Sequence, residues 1–204
     1  MTSTQSIITQ AQAILQDTGV RWPVSELVQY LNDGQREAAS LRPDQFTKST
    51  SLTLNGFKHT LPAECSKFIE MPRNAAGQAI RQVDRNMLDA VEPSWYTKTG
   101  QTVVKHFCHD PRDPMVFWTY PPALGSTVDV TYAVLPADTT ISGNLNVPDI
   151  FANAVLHFVL FRAFSKDAEY ANNAALSAAH LQLFKAGLIE EAPSRQAVQP
   201  TPTN

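Results

Sequence analysis

The sequence is short of the residues on which redox chemistry, phosphate binding and membrane insertion depend. Cys65 and Cys108 are the only cysteines in 204 residues, a usage that fits reduced thiols and argues against a disulfide framework. Basic residues are scattered: 16 Lys and Arg against 19 Asp and Glu leave a net charge of −3. A protein whose main work is gripping phosphates shows a clustered basic excess instead. DNA can pass near such a surface without sticking to it. Long apolar runs are missing as well. The most apolar stretch, Val155 to Phe161, contains His157 and is followed by Arg162, far short of the ~20 residues that span a bilayer. Met1-Thr2-Ser3-Thr4-Gln5 has neither the basic residues nor the apolar run of a secretory leader. The expectation is a soluble protein made in the cytoplasm, with no membrane partner. At this length the chain buries a core without staples.

Reaction motifs are equally scarce. There is no nucleophile elbow, phosphate-cradling Gly-rich loop, H-E-x-x-H or dinucleotide fingerprint. The nearest thing to a metal site is His106-Phe107-Cys108-His109-Asp110. No second Cys/His pair completes the spacing of a structural zinc site, and on a strand His106 and Cys108 point away from Phe107 and His109. A metal-dependent hydrolase built on this group is the least favoured reading. Asp84 with Asp89, and Asp110 with Asp113, are possible paired carboxylates, but acidic residues at turns and helix starts need no catalytic role. His157 reads as a core histidine, His59 and His180 as surface residues, and Cys65 has no partner base. No catalytic residue, metal or cofactor is assigned.

What is present is a clear change of period along the chain. Ile7, Ile8, Ala11, Ile14 and Leu15 recur at helical spacing, with Thr2 and Gln5 at capping-box distance and Gly19 as a stop. Val24, Leu27, Val28, Leu31, Ala38 and Leu41 form the stripe of a second helix, closed by Pro43. The two should pack as a hairpin. From Leu52 the period becomes two, with Asn55-Gly56 as a hairpin turn between Leu52–Leu54 and Phe57–Leu61. Further strands are expected at Lys67–Met71, Ala79–Val83, Thr102–Phe107, Met115–Tyr120 and Thr127–Val134, with turns such as Pro121 to Gly125 between them and a short helix over Asp84–Ala90. Helix returns at Asn146, read as a cap before Pro148 and Asp149. The segment from Ile150 to Phe161 is apolar around so much of its circumference that it must be central. After a break at Ser165-Lys166-Asp167 comes a last helix, with a face of Tyr170, Ala171, Ala174, Ala175, Ala178, Leu181 and Leu188.

The expected fold is therefore α+β: a helical bundle of residues 1–46 and 146–190, an inserted antiparallel β-domain of residues 47–145, and an extended Pro-rich tail of residues 191–204. Trp22, placed before the second helix, could staple the hairpin. Trp95 and Trp118 read as core or interface residues rather than as a nucleic-acid stacking platform.

Several landmarks follow one another along the chain. Arg21-Trp22-Pro23-Val24-Ser25-Glu26-Leu27-Val28-Gln29-Tyr30-Leu31-Asn32-Asp33-Gly34-Gln35-Arg36-Glu37 is followed by Arg42-Pro43-Asp44, Leu61-Pro62, Met71-Pro72-Arg73-Asn74 and Asp84-Arg85. Then come Pro93-Ser94-Trp95, Asp110-Pro111-Arg112-Asp113-Pro114, Phe117-Trp118-Thr119-Tyr120-Pro121-Pro122 and Tyr132-Ala133-Val134-Leu135-Pro136. This series resembles the head-to-tail adaptors of tailed bacteriophages over nearly the whole chain. The resemblance implies a structural virion protein, and not an enzyme. It implies a ring, commonly twelvefold, in the neck of the virion, docked on the portal protein above and meeting a tail or nozzle protein below, with genomic DNA crossing the lumen unread. It also implies a docking extension where this chain has Ala192, Pro193, Ser194, Arg195, Gln196, Ala197, Val198, Gln199, Pro200, Thr201, Pro202, Thr203 and Asn204. Trp22, Asn32, Asp33, Arg36, Arg73 and Trp95 are the landmark or interface candidates. A tail-tube terminator, or another ring of the tail, is the alternative station.

Overall fold

The computed structural model describes residues 1–170 and 172–189. In chain order its elements are α1 (Thr4–Leu15), α2 (Val24–Leu41), β1 (Thr47–Thr60), β2 (Cys65–Asn74), β3 (Arg81–Gln82), α3 (Arg85–Val91), β4 (His106–His109), β5 (Val116–Val134), α4 (Ala152–Lys166) and α5 (Asn173–Ile189). They make an α+β chain of two units. The first joins Met1–Arg42 to the residues from Pro136 onward; the second is Pro43–Leu135.

In the helical unit α1, α2 and α5 all pack against α4. Ala154, Val155, Leu156, Phe158, Val159, Leu160 and Ala163 of α4 are buried, the all-round burial that its apolar circumference demands. Glycine sets how closely a neighbour approaches. A Cβ on Gly34 of α2 would stand 3.0 Å from the Phe158 ring, and one on Gly187 of α5 would meet the Ala154 methyl at 3.3 Å.

Several local expectations fail here, two of them because a partner distant in sequence takes the group involved. Ser3, not Thr2, caps α1 by accepting from the Ser6 N–H, while Thr2 donates to the Asp149 carboxylate. The helix stops at Leu15 with Gln16 in the left-handed region (φ 52), ahead of Gly19. Asn146 caps no helix: its N–H donates to Gln35 Oε1 and its side-chain amide to the Ala137 carbonyl. On α5 the alanines Ala174, Ala175 and Ala178 are exposed, and Ser177, Phe184 and Leu188 are buried. Small side chains lose little by facing water, whereas Phe184 and Leu188 gain most by leaving it. Tyr170 precedes the helix and is exposed, and Ala171 lies outside the described residues.

In the second unit β5 is the spine. β1 runs antiparallel along one edge of it for nearly its whole length, and β2 and β4 share the other edge. The Asn55-Gly56 hairpin does not exist: β1 is continuous, and so is β5 through Pro121 to Gly125. Gly56 (φ 88) and Gly125 (φ 64) do adopt the left-handed backbone of a turn. They use it in facing irregularities, where the register steps at Leu54/Asn55 and at Gly56/Lys58 and Asn55 Oδ1 accepts the Gly125 N–H at 2.8 Å. Positive φ satisfies a bulge as well as a turn. The sheet is mixed rather than wholly antiparallel, since β3 pairs with β4 in parallel. The crossover that a parallel pair needs is supplied by the segment containing α3.

Leu54, Leu61, Phe68, Met71, Phe107, Phe117, Val128, Val130 and Tyr132 build the main core of this unit. A smaller cluster of Leu88, Trp95 and Cys108, with Phe57, Trp118 and Tyr120 against it, ties α3 to the sheet.

Candidate functional site

Strand alternation divides the His106–Asp110 group between two clusters. Cys108 is buried with Leu88 and Trp95, and His106 lies parallel to the Tyr120 ring on the same side. Phe107 belongs to the main core, and His109 stacks on Phe68 with ring centroids 4.8 Å apart. Burial pushes the Cys108 thiol up to about 11, so the thiolate that would bind metal or attack a substrate is disfavoured. The Arg112 guanidinium grips both oxygens of Asp110 and holds that carboxyl down at about 2. Asp84 caps α3 by accepting from Asn86 and Met87. Asp89 accepts from the Trp95 indole at 2.7 Å and the Tyr96 hydroxyl at 3.0 Å. Among the described residues no group of three or more His, Cys, Asp or Glu converges as metal ligands would.

The landmark residues of α2 do something different. Asn32 is buried and uses both ends of its amide on Thr139, donating from Nδ2 to the carbonyl at 3.1 Å and accepting the N–H at 2.9 Å. Gln35 donates to Asn32 Oδ1 and accepts the Asn146 N–H. Arg36 reaches both Asp33, at 2.9 Å, and Asp138. Side chains three and four apart share one face of a helix, so Asn32, Asp33, Gln35 and Arg36 form a row that fastens the segment from Pro136 to Val147 onto α2. Trp22 is buried, and its indole donates to the Ala163 carbonyl of α4.

The β-unit repeats the device. Asn74, next to the landmark Arg73, is buried and exchanges two hydrogen bonds with Val104, at 2.8 and 3.0 Å. Arg73 donates from Nε to Asp129, which also accepts from Ser51, so one carboxylate links β2, β5 and β1. Trp95 is fully buried. In each unit an asparagine stands in for a peptide group and closes the chain on itself.

The structure brings together two residues that sequence reasoning kept apart. His157 on α4 and His180 on α5 approach with Nδ1 atoms 3.1 Å apart, both half-buried. His59 also departs from expectation: it is buried against Phe117, bonds Thr119 at 2.9 Å, and is pushed down to about 4 by burial. The period-two pattern of β1 places His59 on the same face as Phe57 and Leu61, the only sequence signal for its burial. The expected docking residues Ala192 to Asn204 lie outside the described residues.

Asp84, Asp89 and Asp110 are thus held in internal bonds, and the most distinctive motif clamps the chain to itself, the profile of a structural component. The chain belongs to the family described as SU10 adaptor protein, whose model matches residues 2–203. It is a structural adaptor protein of tailed bacteriophages, and as such a protein of the virion. No curated protein matches it. No described helix is long and apolar enough to cross a membrane.

Proposed function

We propose that the chain is one subunit of a twelve-membered ring in the phage neck, seated on the portal protein and presenting the attachment surface for a tail or nozzle protein. The observation that carries this reading is the family match over almost the entire chain. The rest is consistent with it. A closed ring needs two unlike contact surfaces on each subunit, and a helical unit plus a sheet unit supplies unlike surfaces. A net charge of −3 without basic clustering suits a lumen through which DNA must slide without being held. Residues Ala192 to Asn204 follow α5 after two intervening residues and are assigned to portal docking.

Electron microscopy of the full chain mixed with its cognate portal tests the proposal. Rings of this protein bound to the portal are expected; rings that form only on isolated tails would move it to the tail-terminator station. Deleting Ala192 to Asn204 should weaken portal binding while leaving far-UV helicity unchanged. Loss of helicity on deletion would make the tail a structural element instead.

A further inference from the structure

The centroids of the His157 and His180 rings are 5.2 Å apart and their planes are inclined by 27°. That separation exceeds the 3.1 Å between the Nδ1 atoms by nearly two ring radii. Each Nδ1 therefore lies close to the line joining the rings, and the rings meet edge to edge. This geometry has room for one proton between the nitrogens, with one Nδ1–H donating and the other Nδ1 accepting.

We propose that the His157–His180 pair is a one-charge lock that holds α5 against α4 and releases it when a second proton is bound. The first added proton goes to the free Nε2 of the donor ring. Its Nδ1–H still donates, now as a charge-assisted bond. The second proton has to go on the accepting Nδ1. Two N–H groups then point at each other across 3.1 Å, and two imidazolium rings stand side by side. The contact cannot survive that state, and α5 must move.

Little around the pair can offset the second charge. Phe164 also stacks with His180, its ring parallel within 2° at 5.6 Å. α1 has no charged residue and α5 only Lys185. On α2, Glu26 is engaged by Lys166 and Tyr30, Asp33 by Arg36, and Arg36 also by Asp138, while Glu37 is exposed. Arg162 of α4 lies over Tyr30, and Asp149, just before α4, pairs with the chain's amino terminus. Burial lowers His157, and burial followed by the charge of His157 lowers His180, both from 6.5. A folded value below the unfolded one means that the unfolded chain binds protons first. The lock's contribution is therefore full above the unfolded value and is lost as pH falls through the lowered values.

Ring-nitrogen NMR of the full chain, with amide hydrogen exchange of α5 over the same pH range, tests this. The pair should titrate in two steps at least about one pH unit, or tenfold in proton affinity, apart. Exchange of the Ser177–Leu188 amides, corrected for intrinsic rate, should rise about tenfold or more with the second step only, with α2 amides as the internal control. In His157→Gln that rise should disappear. Independent titration of the two rings near 6.5, or α5 protection unchanged through both steps, would overturn the proposal. Should the variant not fold, the wild-type titration and exchange decide alone.

Discussion

Replacing Asn32 with alanine removes three hydrogen bonds at once: the Nδ2 donation to the Thr139 carbonyl, the acceptance of the Thr139 N–H, and the acceptance from Gln35. Asn32 is 7% exposed and Thr139 9%, so water does not readily replace what is lost. Each buried bond contributes a net ~1 kcal/mol, and a stranded backbone group costs about 1–3 kcal/mol. Part of the two sums overlaps, giving an expected destabilisation of about 3 kcal/mol. For a unit of roughly 100 residues that corresponds to a Tm lower by about 12–24 °C. Urea denaturation followed by far-UV circular dichroism measures the loss, and hydrogen exchange assigns it to the helical unit. The Thr139 amide and the α2 amides should lose protection while the sheet amides keep theirs. Asn32→Asp keeps the acceptor but sets a carboxylate against the Thr139 carbonyl, so it should be worse at neutral pH than in mild acid. A loss below about 0.5 kcal/mol for Asn32→Ala, within the range of an ordinary surface substitution, would refute the clamp.

Two other perturbations probe the packing. Gly34→Ala raises helix propensity by ~1 kcal/mol, yet its Cβ stands 3.0 Å from the Phe158 ring. Overpacking of about 1–3 kcal/mol should prevail, so thermal denaturation should show a lower Tm, recovered in Gly34→Ala/Phe158→Leu. Cys65 and Cys108 are buried and free, and burial raises both thiols. A thiol reagent should therefore react with neither in the native protein and with both in denaturant; fast native labelling of Cys108 would contradict its place behind α3.

Much of the architecture was readable from local pattern. The period of 3.6 in Val24 to Leu41 and the apolar circumference of α4 announced helices, and Pro43 announced a boundary. The alternation through His106 to His109 already assigned those side chains to opposite faces. Asn55-Gly56 misled, because its signal is conformational: a positive φ is required there, and whether the chain then reverses or bulges depends on the β5 segment lying opposite. Asn32 stood out only as part of a family phrase. Nothing local to α2 reveals that Thr139 is its partner.

The α+β class, the helix-sheet-helix order, the family and the expectation of assembly rather than reaction were all legible along the chain. Those follow from composition, from periodicity over a few turns, and from the order of landmarks, all properties of neighbours along the chain. The folded chain was needed to show that β1 and β5 are single long strands, that β3 runs parallel to β4, and that Asn32 and Asn74 close their units. It alone joined His157 to His180. Each of these is a contact between residues far apart in sequence, whose energy depends on burial and mutual orientation. Neither quantity is a property of a single segment, so neither could be read before the chain was folded.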